Sequence, residues 1–378
     1  MEESSNRSTA LLSSYFPSLD GVRAFSVFFV IFTHVQKHGV TWYFPGWLGV
    51  DIFFVLSGFL ITYLLFREES KMGSIDMGAF YIRRAFRILP IYLLVLSIYV
   101  ILAYFSSQPE KWVEMKAGLP YFLTFMNDLA FVNPNSPVKE MFGLSWTLGV
   151  EEKFYLLWPL LLFVLAKSLK ARASIQVVSL AFTALAAFFI AHVLGIDFTQ
   201  LGKLPRANYG LLVGSALAVL FSSRWAQGYK RFVSRLPWGL LLLVFFAVFV
   251  AVQFQPYLVY LFSWVVFILI SHLLLVPSAL NNFLSYPAFV WIGKRSYCMY
   301  LLQGFGINFV QLFIHPFSAA HQIEIALLAF ILALGGAAIL HILVEEPGRQ
   351  LGKRLLSHRS QRRESRILSQ AAVPVARE

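Results

Sequence analysis

The chain has 378 residues, of which 58% are hydrophobic and only 13% charged, and its formal net charge is +12. Soluble domains carry about 25% charged residues, so this composition excludes an ordinary water-soluble globule and points to an all-α, polytopic membrane bundle. A single cysteine, Cys298, excludes an internal disulfide framework and a cysteine-built metal site, and the histidines show no metal-ligand spacing.

Apolar windows of roughly 16 to 22 residues recur, the length a helix needs to cross the hydrocarbon core. In chain order they lie at 19–36, 48–66, 88–105, 145–166, 175–194, 207–222, 237–252, 257–276, 294–314 and 323–344, which predicts ten spans. The polar start, Met1 to Pro17, precedes a long apolar stretch with no short apolar core and cleavage site, so the first span is expected to be retained. Leu119 to Val132 is apolar but short and is interrupted by Asn127 and Asp128; it is expected to be re-entrant or interfacial. The expected division is a membrane-embedded domain over 1–347 and a basic, disordered cytoplasmic tail over 348–378, lying against anionic lipid headgroups. No second soluble domain is expected.

Charge orients these spans. With a cytoplasmic N-terminus, the inner segments hold 23 of the 31 lysines and arginines and the outer segments six. That bias fits the positive-inside rule and predicts both termini in the cytoplasm; an eleventh span at 119–132 would destroy it. The basic balance is thus topology, on short loops and a tail, and not the folded basic surface that nucleic-acid binding requires.

Two ionisable residues stand inside the first span. Arg23 and His34 are eleven positions apart, about three helical turns, and so fall within about 20° of one face. Ionisable groups in a membrane helix are costly and face a protein interior or a watery cavity. His34 is a candidate general base; an interfacial histidine at a helix end is the alternative. By alternating span direction, Asp51, Glu151 and Glu152 are expected at the same depth as His34, where a carboxylate on the second ring nitrogen would fix the tautomer. Structural hydrogen bonding is the competing reading for each acid.

Arg83, Arg84 and Arg87 close the loop before the third span. Arg84 and Arg87 share a helical face, and guanidinium forks bind phosphate oxygens bidentately. A phosphate ester such as coenzyme A is one ligand that fits; positive-inside anchoring is the other reading. Arg206 opens the sixth span as an interface anchor or an acceptor contact. Ser57-Gly58 reads as a close-packing pair, and Cys298 as a small packing residue.

These segments together resemble the acyltransferase 3 family of integral-membrane acyltransferases. Leu19-Asp20-Gly21-Val22-Arg23-Ala24 with His34, and Gly46 through Ile61 with Gly49-Val50-Asp51 and Leu56-Ser57-Gly58, are similar to its first two spans. Arg84-x-x-Arg87 with Ile88-Leu89-Pro90 resembles its arginine motif, and Leu144 through Tyr155, containing Glu151-Glu152, its most recognisable block. Gly293-Lys294-Arg295-Ser296-Tyr297 and Val344-Glu345-Glu346-Pro347 resemble its closing motifs. The resemblance implies transfer of an acyl group, usually acetyl from acetyl-CoA, to a hydroxyl of a carbohydrate or lipid-linked glycan, in the bacterial cytoplasmic membrane. It implies that His34 and Arg23 are essential and that Arg84 and Arg87 serve the CoA side. Where relatives often carry His, this chain has Gln303, which hydrogen-bonds but cannot act as a base. No hydrolase-like domain of the kind fused to some relatives is expected.

The expected chemistry places acyl-CoA phosphates at Arg83, Arg84 and Arg87. His34, oriented by Glu151 or Glu152, takes the acceptor hydroxyl's proton, and the acceptor arrives past Asp51 and Arg206. Acylation of a macrolide-like metabolite is an alternative with the same chemistry. A transporter or flippase is a rival of another class, which would predict inverted repeats or broken helices in two matching halves. A non-catalytic scaffold would tolerate loss of both Arg23 and His34.

Overall fold

The computed structural model describes residues 15–35, 44–132, 136, 138, 142–192, 203–314 and 321–357. Helices dominate, and no strand occurs among the described residues, as lipid requires of any chain that is not a closed barrel. The first half comprises α1 (Pro17–Val35), α2 (Leu48–Met72), α3 (Met77–Tyr104), α4 (Pro109–Leu123), α5 (Asn127–Val132), α6 (Trp146–Pro159) and α7 (Leu169–His192). The second comprises α8 (Lys203–Phe221), α9 (Ala226–Val233), α10 (Trp238–Ala251), α11 (Leu258–Leu275), α12 (Ala279–Leu284), α13 (Pro287–Lys294), α14 (Ser296–Gln311) and α15 (Gln322–Leu340).

All ten apolar windows fall on helices, yet only seven described helices are both long and apolar enough to cross a membrane. Counting α9 and α10, which are bent by 88°, as one span gives eight. The others fall short for physical reasons. The 145–166 window divides into α6, which carries Glu151, Glu152 and Lys153, and a wide π turn over Leu160–Leu165. The 294–314 window folds as α14, 16 residues long, or about 24 Å at 1.5 Å per residue.

Small residues set the closest packing. A Cβ placed on Gly58 would lie 1.8 Å from the Leu211 carbonyl oxygen, and one on Gly214 would lie 1.9 Å from that of Val55. The backbones of α2 and α8 therefore touch, the use to which small residues are put between membrane helices. Polar side chains close the same seam: Thr62 donates to Ser215 at 2.9 Å and Trp158 of α6 donates to Ser215 at 2.8 Å, with Thr62 and Ser215 fully buried. Arg172 of α7 grips Glu69 of α2 through two bonds of 2.6 and 2.7 Å.

Gly46 and Gly49 give the register of α1 against α2. Cβ atoms there would meet the carbonyl oxygens of Phe29 and Ser26 at 2.2 and 2.4 Å, so the two helices run antiparallel with Ser26 level with Gly49.

Between α3 and α6 the chain turns back. The Tyr92 hydroxyl, midway along α3, donates to the Phe122 carbonyl at the end of α4 at 2.9 Å, so α4 descends beside α3 into the bundle. Phe125 makes the reversal into α5 with φ of 55°, a left-handed conformation rare for a bulky residue; its ring stacks on Tyr92 at 4.6 Å. Asn127 holds the carbonyl and hydroxyl of Ser145, both at 2.7 Å, and Lys153 pairs with Asp128. Helix α6 thus starts inside the bundle, beside Phe54, and not at its edge.

At the other end, helix continues from α15 through a π turn at His341–Glu345 to Ser357, past the Gly348 boundary expected for the tail. Pro347 has no N–H and its ring crowds the carbonyl four residues back; the wide turn just before it is the sort of break that tolerates both. Gly348 and Gly352 then lie against Phe86 and Pro90 of α3. Residues 358–378 lie outside the described residues.

Candidate functional site

Arg23, Arg84 and Arg87, noted separately in the sequence, line one cavity of about 990 Å³, at the upper end of the range for small-molecule sites. It lies among α1, α2, α3, α6 and the last helix. Its lining carries nine lysines and arginines against three carboxylates, Asp20, Glu68 and Glu345. The Nε atoms of Arg23 and Arg67 are buried there without a hydrogen-bond partner in the protein, and such donors favour an anionic ligand. A concave, cation-walled space of this size suits a polyphosphate ester with an organic arm.

The individual arginines are held differently. The Arg84 guanidinium lies 3.9 Å from the centroid of the Tyr155 ring, a cation–π contact, and faces Glu151 and Glu152. Arg87 faces Arg23, Arg84, Arg349 and Glu345. Arg83 pairs with Glu68 at 2.8 Å and is about half exposed; it sits at the cavity's outer part.

Glu151 and Glu152 stand behind this cavity's wall, next to its lining residues Ser57, Arg84 and Tyr155. Glu151 accepts from the Tyr155 hydroxyl at 2.9 Å and from Ser57 at 3.3 Å, and faces Arg84 and Arg23. The expectation that His34, Asp51, Glu151 and Glu152 share one depth is therefore corrected. Ser57 lies eight residues beyond Gly49 and His34 eight residues beyond Ser26, so the level of Glu151 and that of His34 are separated by about 24 Å along the bundle. The glutamates lie deep because α6 begins inside the bundle, a consequence of the way the chain turns back through α4 and α5.

His34 has a different orienting partner. Its Nδ1 is 2.7 Å from the Val30 carbonyl oxygen one turn back. A carbonyl only accepts, so Nδ1 carries the proton and the neutral ring's basic nitrogen is Nε2. The expected carboxylate partner from Glu151 or Glu152 is replaced by the helix backbone. His34 does not line the large cavity; Arg23, on its own helix, does.

Asp51 and Arg206 meet one another. Their charged atoms approach to 3.2 Å, Asp51 has no exposed surface, and Arg206 lies over Trp47 at 4.5 Å. Both Asp51 oxygens nonetheless lack a well-directed hydrogen bond, so this is an ion pair across α2 and α8. Gln303 is fully buried and donates to the Tyr300 carbonyl at 2.9 Å.

Sequence reasoning passed over Ser57 as a packing residue and gave Tyr155, His341 and Glu345 no role. The signal for Glu345 was present: a carboxylate beside Pro347 at the end of an apolar span. Only folding shows that it returns to Arg87.

A cation-lined cavity that takes in an arginine of the first span, with a histidine about three turns further along the same helix, suits an integral-membrane group-transfer enzyme. The chain belongs to the acyltransferase 3 family: the family model, an acyltransferase domain, matches residues 16–342. It is 30% identical over 321 residues to the peptidoglycan O-acetyltransferase OatA of Listeria monocytogenes, covering 78% of this chain and 50% of that protein. It is 30% identical over 311 residues to the putative peptidoglycan O-acetyltransferase YrhL of Bacillus subtilis, covering 76% and 48%. A putative O-acetyltransferase of Staphylococcus aureus is 27% identical over 369 residues, covering 92% and 59%. The chain spans about half the length of the first two relatives. No solved structure matches it.

Proposed function

We propose that the protein is a membrane O-acyltransferase that takes an acetyl group from acetyl-CoA and passes it to a hydroxyl of a cell-envelope carbohydrate. The cation-lined cavity carries this reading, since nine basic side chains against three acids match the phosphates of coenzyme A. In this reading the phosphates rest on Arg84, Arg87 and the outer cations, including Arg83. The pantetheine arm runs inward past Arg23. From there to His34 is eleven residues of one helix, about 16 Å, a distance suited to an extended amide-linked arm. His34 Nε2 takes the proton from the acceptor hydroxyl as that oxygen attacks the thioester carbonyl; the tetrahedral intermediate collapses and CoA leaves as the thiol or thiolate. General-base help of this kind contributes about 10²–10⁴ in rate. Glu151 sits at the opposite end of the path and sets the charge around Arg84 and Arg23.

The names of the relatives in Listeria and Bacillus support a glycan acceptor, whether polymer or lipid-linked. We assign ten spans and place both termini in the cytoplasm, with the cavity mouth on the same side, because the lysines and arginines concentrate there. The acceptor then approaches from the opposite face, near His34, and Asp51 with Arg206 shapes the wall on that side.

Equilibrium binding of CoA to the purified protein in lipid nanodiscs tests the donor site. Wild type should bind, and Arg84→Ala with Arg87→Ala should weaken binding by about a hundredfold, two charge-assisted contacts at about tenfold each. Unchanged affinity in the double variant would remove CoA from this cavity.

A further inference from the structure

Glu345 is a carboxylate in the wall of a cavity otherwise suited to an anion. It lines a cavity whose other walls are mostly basic, is 4% exposed, and lies at the end of a π turn, a helical irregularity that recurs at functional sites. Three groups hold it. His341 Nδ1 donates to its Oε2 at 2.9 Å, the Cys298 thiol lies 3.7 Å from the same oxygen, and Arg295 faces it. The π turn packs against α3, so Glu345 lines the same cavity as Arg87, Arg23, Arg84 and Arg349 and is the one acid among the charges acting on Arg87.

We propose that Glu345, braced by His341, is a positioning residue that keeps Arg87 turned into the cavity to receive a phosphate of the donor; this rests on the donor reading above. Without a counter-charge, four guanidiniums converging on one space would push Arg87 away, and like charges at short range in a desolvated site repel strongly. Glu345 thus holds the arginine while no ligand is bound, and the phosphate then joins a fork already in place. His341 matters through Glu345: it fixes one carboxylate oxygen and leaves the other to face the arginines.

The direction of one measurement separates this role from simple electrostatics. A carboxylate beside an anion site repels the anion, so by charge alone Glu345→Gln should tighten CoA binding. The positioning role predicts the reverse. In nanodiscs, Glu345→Gln should weaken CoA binding about tenfold, as misplacement of a binding group does. It should raise KM for acetyl-CoA while leaving kcat near wild type, and add little to Arg87→Ala, since residues that act as a unit are not additive. Tighter or unchanged binding in a folded Glu345→Gln protein would overturn the role, as would full additivity with Arg87→Ala. His341→Gln, which keeps the buried carboxylate but alters its brace, covers the case in which Glu345→Gln does not fold. It should weaken binding about threefold, since glutamine can replace only part of the hydrogen bond to the carboxylate, and no effect would count against the proposal. Wild type that binds no CoA would overturn the donor reading and this role together, whereas wild-type binding with an indifferent Glu345→Gln overturns the role alone.

Discussion

At the scale of single residues, the polar groups of the bundle fall into two sets with different work. Arg84 is held by the Tyr155 ring at 3.9 Å and Tyr155 by Glu151 at 2.9 Å, a chain in which the aromatic residue transmits position to the cation. Tyr155→Phe keeps the ring and removes only the hydroxyl, so CoA affinity should fall by less than about threefold. Tyr155→Leu removes the cation–π contact and should cost about tenfold, near the upper range of a desolvated cation–π pair. Equal losses in the two variants would place the effect in the hydroxyl instead. Much of this was legible beforehand, because Arg23 and His34 stand out as ionisable groups where lipid should exclude them, and Arg84 and Arg87 as two guanidiniums on one helical face at the end of a loop. The partners were not. Whether Glu151 meets His34 or Tyr155 depends on where α6 begins, and that is fixed by the buried bonds of Asn127 to Ser145, which no local pattern announces.

At the scale of elements, the α2–α8 seam holds the bundle's centre. The near-contact of backbones at Gly58 and Gly214 leaves no room for a side chain. Gly214→Leu should destabilise the protein by about 3 kcal/mol, as overpacking of a close contact does, with a lower unfolding midpoint in detergent; an unchanged midpoint would show that the helices can part without cost. The Asp51–Arg206 pair lies on the same seam. Removing one partner leaves a buried charge uncompensated, so Asp51→Ala should cost about 3–5 kcal/mol, while replacing both by apolar residues of similar volume should recover most of it. If the single variant is as stable as wild type but fails to use its acceptor, the pair contacts substrate and does not serve as a brace. Apolar windows located every helix of this seam, since twenty apolar residues in a row have few other fates. The turn through α4 and α5 was visible only as an anomaly, a short apolar segment broken by Asn127 and Asp128. The length of the last helix was hidden by Gly348 and the basic residues after it, which read as a tail, whereas Gly348 and Gly352 lie against α3.

At the scale of the whole molecule, the proposed function gives charge two uses, to orient the bundle and to bind the donor. Both termini should report from the cytoplasmic side when tagged, and tags on opposite sides would break the assignment of the cavity mouth. Binding of a multiply charged donor should weaken as salt rises, since screened cations attract less; salt-independent binding would mean that the phosphates are not what is read. The all-helical class and the family were open to reading because membrane insertion and ordered motifs both write themselves along the chain. The grouping of the acids was not, since depth in a bundle is set by contacts between helices far apart in sequence. The central claim is that His34 performs the transfer while the arginine cavity holds the donor some distance away. It is tested most directly by measuring acetyl transfer from acetyl-CoA to envelope glycan in wild type and His34→Gln, with CoA affinity measured on the same preparations. The account predicts that His34→Gln binds CoA as tightly as wild type and transfers no acetyl group; transfer at a substantial fraction of the wild-type rate would contradict it.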